Sequence, residues 1–387
     1  MDLNDVVVIG GGVIGAACAY YCAEAGLRVT VVERGSPGGG TTSACEGNIL
    51  LSDKEPGPEL ELALLSSRLW GALADRRGAQ AFEYQAKGGV VVATTEASAA
   101  GLAKLTVGQR ASGVDAVDVS ADELRELEPN ITSAAVGGAF YPQDSQVQPM
   151  LSTARLLQLV REKGGRVLTA TAVTGFLRGA DGAVLGVRTN SAAVPEVRGK
   201  CTVNASGTWS GEIAELAGAP IPILPRKGFI LVTEPLPRVV RHKVYTAEYV
   251  ANVASSDEGL ETSVVVEGTQ AGTVLIGASR ERVGFDRSFS LTVVRKLAAQ
   301  ALEVFPFLEH VSLMRTYLGF RPYCPDHLPI IGPDPRVPGL FHATGHEGAG
   351  IGLATGTGTL IAQLITGATP DLDPAPFRPH RFEEVAA

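Results

Sequence analysis

Three glycines, Gly10, Gly12 and Gly15, stand at G-x-G-x-x-G spacing directly after a run of branched apolar residues at 6–9. Residues in this pattern do chemistry with the main chain. The first glycine allows a tight turn, the second lets a pyrophosphate approach the backbone, and the third lets a helix pack close to its strand. Val13 and Ile14 follow at the start of that helix, where N–H groups and the helix dipole face an anion. Glu33, with Arg34 beside it, ends a second apolar strand about 20 residues further on, where an acid can bond a ribose hydroxyl. Strand, glycine turn, helix, strand and acid together predict a dinucleotide site. The motif leaves FAD and NAD both open.

The elements that must position these residues are legible around them. Residues 6–9 and 29–32 read as buried parallel strands, and 13–25 as a helix stopped by Gly26. The uncharged run at 6–23 has the length of a membrane span or signal segment, but its glycine cluster suits neither, and Asp2 and Asp5 have the wrong sign for a signal's leading region. A soluble, cytoplasmic protein is expected. At 387 residues the chain can hold two full cores, and its net charge of −8 argues against nucleic acid or an anionic membrane as partner. Cysteines at 18, 22, 45, 201 and 324 form neither a disulfide framework nor a zinc set, so no metal is expected. Cys18 and Cys22 read as small packing residues.

Further along, Thr41, Thr42, Ser43, Gly47 and Asn48 form a small, polar stretch that reads either as a surface loop or as a second set of donors around a large dinucleotide. Pro58 opens a helix whose stripe is Leu62, Leu65, Leu69 and Leu73, and Ser120 with Glu123 makes a capping box. Ala205, Gly207 and Trp209 lie in a strand–turn–helix passage. Residues 226–316 alternate apolar and polar, as an antiparallel sheet does, and Ser290 caps a helix within them. Near the end, Gly345, His346, Gly348, Gly350, Ile351 and Gly352 make a second glycine-rich strand-to-helix turn. A plain NAD dehydrogenase has no need of it. A cofactor with one end at each turn does.

In "VVVIGGGVIGAACAYYCAEAGLRVTVVER", "TVNASGTWS", "GFRPYCPDHLPIIGP" and "GLFHATGHEGAGIG", taken in that order, the sequence resembles the D-amino-acid oxidase superfamily of FAD-dependent amine oxidoreductases over nearly its whole length. "HEGAGIG" and "TTSACEGNILLSDKEPGPELELAL" are most similar to the beta-type catalytic subunits of bacterial D-hydroxyproline dehydrogenases and opine oxidases. The resemblance implies an α/β fold, with a Rossmann-like FAD-binding domain at 1–80, 144–225 and 317–387. An inserted α+β substrate domain with an antiparallel sheet would take 81–143 and 226–316. It gives Gly10, Gly12 and Gly15 to the pyrophosphate, Glu33 to the ribose, the Val173 backbone to adenine, and Ala205 and Gly207 to the cofactor wall. Residues 345–352 would face the isoalloxazine.

Arg321, in the family's "RP" motif, is implied to fork onto a substrate carboxylate, which suits a guanidinium. Glu46 falls where sarcosine oxidase has a histidine; it reads as an amine or hydroxyl ligand, a partner of His346, or a solvated loop carboxylate. Tyr245, Tyr249 and Tyr323 are candidate pocket hydroxyls, though each reads more readily as a core or rim tyrosine, and Arg321, Glu46, His346 and Tyr249 form the expected catalytic set. Gly319 stands where sarcosine oxidase attaches its flavin to cysteine, so FAD is expected to be non-covalent. The stretch "GTVLIGAS" offers no counterpart to that enzyme's oxygen-activating lysine, which favours a dehydrogenase. The implied reaction is hydride transfer from a small amino or imino acid to flavin, with cis-4-hydroxy-D-proline or a related secondary amine as substrate. A stand-alone glycine, sarcosine or D-amino-acid oxidase and an opine dehydrogenase subunit are the alternatives, and a non-catalytic flavin relay is the rival of another class. The resemblance allows a hetero-oligomer with ferredoxin-like or second flavin subunits. This chain has no cysteine array for an iron–sulfur cluster of its own.

Overall fold

The computed structural model describes residues 3–248 and 256–382. Val6 and Val8 are fully buried under helices on one face of a mainly parallel sheet, and Val7 is buried on the other face with Phe176, Val184 and Val187. That sheet runs in the order Ile330–Pro333, Leu340–Thr344, Glu196–Asn204, Asn4–Ile9, Val29–Val32, Arg166–Leu168. The hairpin Val173–Arg178 and Val184–Thr189 branches from its third strand. The helix Val13–Glu24 is rich in alanine, and its small side chains let the helix Gly350–Thr366 lie directly against it. Cys18 and Cys22 are free thiols in this packed core, as expected of packing residues, and burial pushes the Cys22 thiol up to about 12.

The second sheet has eight strands in the order Leu313–Tyr323, Leu224–Thr233, Val274–Arg280, Glu261–Gly268, Lys243–Thr246, Gly89–Ala93, Gly137–Tyr141, Val117–Ser120. The expected antiparallel pairing holds across 224–323, but Lys243–Thr246 joins Gly89–Ala93 in parallel and so ties the two inserted pieces into one sheet. Residues 317–323, expected with the first region, run in this second sheet, because the whole strand Leu313–Tyr323 pairs with Leu224–Thr233. The helix Leu291–Val304 closes its core, and Ser290 accepts from the Val293 N–H as the expected cap. Ser120 and Glu123 form the expected capping box. In the helix Pro58–Arg77, Leu62, Leu65 and Leu73 are buried and Leu69 is half-buried. Trp70 is fully buried instead, and its indole N–H donates to the Ile351 carbonyl at 3.0 Å. Among the described residues no helix is long and apolar enough to cross a membrane.

Tyr245 does not reach an open pocket. It is fully buried, and its hydroxyl donates to Ser52, which donates to Asp144. Asp144 also accepts the Leu51 N–H at 2.7 Å, and burial raises its pKa to about 7. The folded chain therefore holds a proton that the unfolded chain releases near the ordinary carboxylate value. Stability from this group is full in acid below that ordinary value and is lost as pH rises through about 7. The wild type should lose several degrees of Tm between about pH 5 and 8 relative to Asp144→Asn, which mimics the protonated acid. Thermal unfolding of both proteins across that range checks it, and parallel curves would exclude Asp144 as the titrating group.

Candidate active site

One cavity of about 470 Å³ is lined from both large sheets. At one part of it, Gly10 turns the chain with φ +105, and a Cβ at this position would stand 2.5 Å from the Ala205 carbonyl oxygen. Glu33 is fixed at the same part: Oε2 accepts the Gly11 N–H and Oε1 the Gly35 N–H, each at 2.7 Å. Gly12, Val13, Ile14, Val173, Ala205, Gly207 and Trp209 line the cavity as expected, with Arg34 stacked 3.8 Å over the Trp209 ring. Thr41 and Thr42 line it too, but their hydroxyls are engaged. Thr42 Oγ1 accepts the Val13 N–H at 3.1 Å, supplying the cap that Gly12 lacks, and Thr41 donates to the Phe320 carbonyl at 2.7 Å.

Five expected cofactor residues stand outside this lining. Gly15 supports the turn, since a Cβ there would lie 2.0 Å from the Gly10 oxygen. Ser43 donates to the Gly40 carbonyl, and Gly47 donates its N–H to Glu267. Gly345 bends the chain into the second turn, and Gly352 packs on the backbone of residues 48–50. Tyr323, like Tyr245, is buried in the protein rather than at the cavity wall, and Tyr249 lies outside the described residues.

Arg321 reaches the cavity from the strand Leu313–Tyr323. Its Nη1 donates to the Ser279 carbonyl at 2.8 Å, in space left by Gly228, where a Cβ would sit 2.1 Å from that nitrogen. Its register partner Arg226 is fully buried and pairs instead with Glu261 at 2.9 Å and Glu347 at 3.5 Å. His346 lines the cavity with Nε2 2.9 Å from Thr357 Oγ1, and burial lowers its pKa to about 3. It is a neutral ring and a weak base.

Glu46 also lines the cavity at 7% exposure, so it is no solvated loop carboxylate. Its ionic neighbour is Lys243 rather than His346: Lys243 Nζ stands 3.7 Å from Glu46 Oε1 and donates to Glu267 Oε2 at 3.0 Å. Burial raises the Glu46 pKa, which Lys243 opposes and Glu267 reinforces. Sequence reading missed Lys243 and Glu267. The signal was a charge at an inward position of an apolar strand, visible only once the face of each strand is known.

Two helix N-termini, at Gly12 to Ile14 and at Gly348 to Ile351, open into this one cavity, each presenting N–H groups and a positive dipole end. The volume falls within the roughly 300–1,000 Å³ of ligand and cofactor sites. A cradle that a Cβ would fill, an acid beside it and a second helix end fit a dinucleotide that carries a ring system at its far end.

Over residues 5–364 the sequence matches the family described as DAO, FAD dependent oxidoreductase. The hydrogen cyanide synthase subunit HcnC of Pseudomonas aeruginosa is 32% identical, with 99% of this chain and 97% of that protein covered. The glycine oxidase of Geobacillus kaustophilus is 31% identical, covering 96% of each. A crystal structure of that oxidase superposes with a TM-score of 0.87 over 98% of this chain and 99% of that one. The L-proline dehydrogenase structure from P. horikoshii, at 24% identity, shares the fold with a TM-score of 0.90 over 99% of each chain.

Proposed function

We propose, from the premise that this chain belongs to the DAO family of FAD dependent oxidoreductases, that it oxidises a small amino or imino acid to its imine. The preferred substrate is cis-4-hydroxy-D-proline or a related secondary amine. The enzyme uses FAD, and its reaction class is the oxidation of amino-acid-like substrates. Bound FAD supplies the acceptor for the hydrogen and electron pair that leave Cα. The residues of this chain do the rest. The glycine turn and Glu33 hold one end of the cofactor, and the N-terminus of Gly350–Thr366 places positive potential at the other. Arg321 offers its fork to the substrate carboxylate, Glu46 offers an acceptor to the amine, and neutral His346 adds a polar contact without competing for the amine proton. Ile230 and Ile351 supply apolar wall, which keeps water from the reacting carbon.

The observation that carries this reading is the pairing of a guanidinium and a carboxylate, Arg321 and Glu46, on the wall of the cavity that both helix ends enter. They match the two charged ends of an amino acid. A flavin relay without a substrate has no use for either. Glycine is the second reading, favoured by the glycine oxidase relative, and the "subunit" in the name of HcnC supports a hetero-oligomer. The strand Val274–Arg280 holds no lysine, which supports electron transfer to a partner over a fast reaction with oxygen. Anaerobic mixing of the FAD-loaded protein with cis-4-hydroxy-D-proline, D-proline, sarcosine, glycine, D-alanine and an opine tests the proposal. Bleaching by the first compound is expected, bleaching by another corrects the substrate, and bleaching by none favours the relay.

FAD should be released when the protein is acid-precipitated, leaving a yellow supernatant. Cys324 is buried away from the cavity, with its Sγ bonded to Asp326 at 3.3 Å. Cys45 does line the cavity, but burial pushes its thiol well above the ordinary range and leaves it a poor nucleophile. A yellow pellet would refute non-covalent binding.

A further inference from the structure

Lys243 has no role in the reaction as described so far. It is buried to 1% exposure, beneath a carboxylate that faces the cavity. Glu267 holds Lys243 at 3.0 Å and also accepts the Gly47 N–H at 3.1 Å, so the pair is pinned to the backbone next to Glu46. Glu46 Oε1 accepts no hydrogen bond among the described residues, while Asn48 Nδ2 stands 3.5 Å from Oε2. The other charged or titratable groups that act on Glu46 come from three directions: Arg321 and Tyr317 on one strand, Arg280 on a second, and Cys45 on its own loop.

Resting on the reading above, we propose that Lys243 is a positioning residue for the amine end of the substrate. Held by Glu267, it keeps Glu46 ionised and aimed into the cavity, where Glu46 receives the substrate ammonium and takes one of its protons. The step balances within these groups. An N–H bond of the ammonium breaks, an O–H bond forms on Glu46, and the electron pair stays on nitrogen. The neutral amine then has the lone pair that loss of the Cα hydrogen requires. Without Lys243, a carboxylate this buried favours its neutral form and attracts no cation.

Acetate is the probe, because it engages Arg321 but carries no amine and is not oxidised. Its affinity for the FAD-loaded protein is measured by calorimetry between about pH 5.5 and 9, above the acid's own titration. Ionised Glu46 repels acetate, so the affinity should tighten as pH falls through the Glu46 transition, by about tenfold. In Lys243→Met the midpoint should rise by about 1 to 2 pH units, and in Lys243→Arg it should stay near the wild type. Glu267→Gln removes a like charge and should move the midpoint down. Lys243→Gln, which keeps a polar side chain at the same place, should repeat the upward shift if Lys243→Met fails to fold. In Glu46→Gln the pH dependence should vanish.

An unshifted midpoint in flavin-loaded Lys243→Met or Lys243→Gln, or a pH dependence that persists in Glu46→Gln, overturns the role of Lys243 and leaves Arg321 and the substrate reading standing. Wild-type protein that binds acetate at no pH overturns the Arg321 clamp, and the role of Lys243 falls with it.

Discussion

Arg321→Met should lower kcat/KM for the oxidised amino acid by about a thousandfold while the protein still purifies yellow. Removing one partner of a buried, hydrogen-bonded charge pair costs roughly 3–5 kcal/mol, because the partner's charge is left uncompensated in low dielectric. Here the uncompensated group is the substrate carboxylate, and each 1.4 kcal/mol is about a factor of ten. Methionine keeps the bulk of the arginine stem and leaves Gly228 its space. Arg321→Lys should recover little, since an ammonium has no fork and Nη1 also holds the Ser279 carbonyl. Anaerobic flavin reduction at varied substrate separates the effects: saturation should weaken sharply, and the limiting rate should fall as the carbon loses its alignment. A variant that bleaches with wild-type kinetics would show that Arg321 has a structural role alone.

Gly10→Val should yield a folded but colourless protein. At φ +105 a branched side chain is strained, and its Cβ would meet the Ala205 carbonyl oxygen at 2.5 Å, a main-chain atom of the neighbouring strand end that cannot swing aside. The turn must open, and with it the N–H groups proposed to face the pyrophosphate move out of register. The loss appears twice: in the ratio of flavin to protein absorbance, which should fall close to zero, and in Tm, since a tightly held ligand stabilises by several kcal/mol that the apoprotein forfeits. Full flavin content in this variant would contradict the placement of the cofactor at Gly10.

Local spacing carried most of the fold and the glycine-turn side of the cavity. Gly10, Gly12 and Glu33 lie within one strand–helix–strand unit, so their mutual geometry follows from the elements that join them, and all three line the cavity. The amine end was less legible, because it is assembled across register. Lys243, Glu267, Arg280 and Glu46 belong to three strands and a loop, and which of them meet depends on pairings that no single segment encodes. Tyr245 could be a pocket or a core residue for the same reason: it shares the face of Lys243 in an alternating strand, and only the fold turns it to Ser52. Thr41 and Thr42 could be read as a surface loop or as donors to the dinucleotide, because a sequence does not show that Gly12 leaves the helix Val13–Glu24 without a side-chain cap.

Asn4–Ile9 pairs with Glu196–Asn204, which in turn pairs with Leu340–Thr344, so the sheet is completed by residues from the two ends and the middle of the chain. The order of synthesis therefore matters. The first helix end emerges from the ribosome early and waits through some three hundred residues for the second. Until Gly350–Thr366 has docked on Val13–Glu24, the second helix end that opens into the cavity is missing. Flavin insertion must then belong to the last act of folding. A nascent chain stalled before residue 340 should be colourless however much FAD surrounds it, and the cofactor certifies that the second glycine turn has arrived.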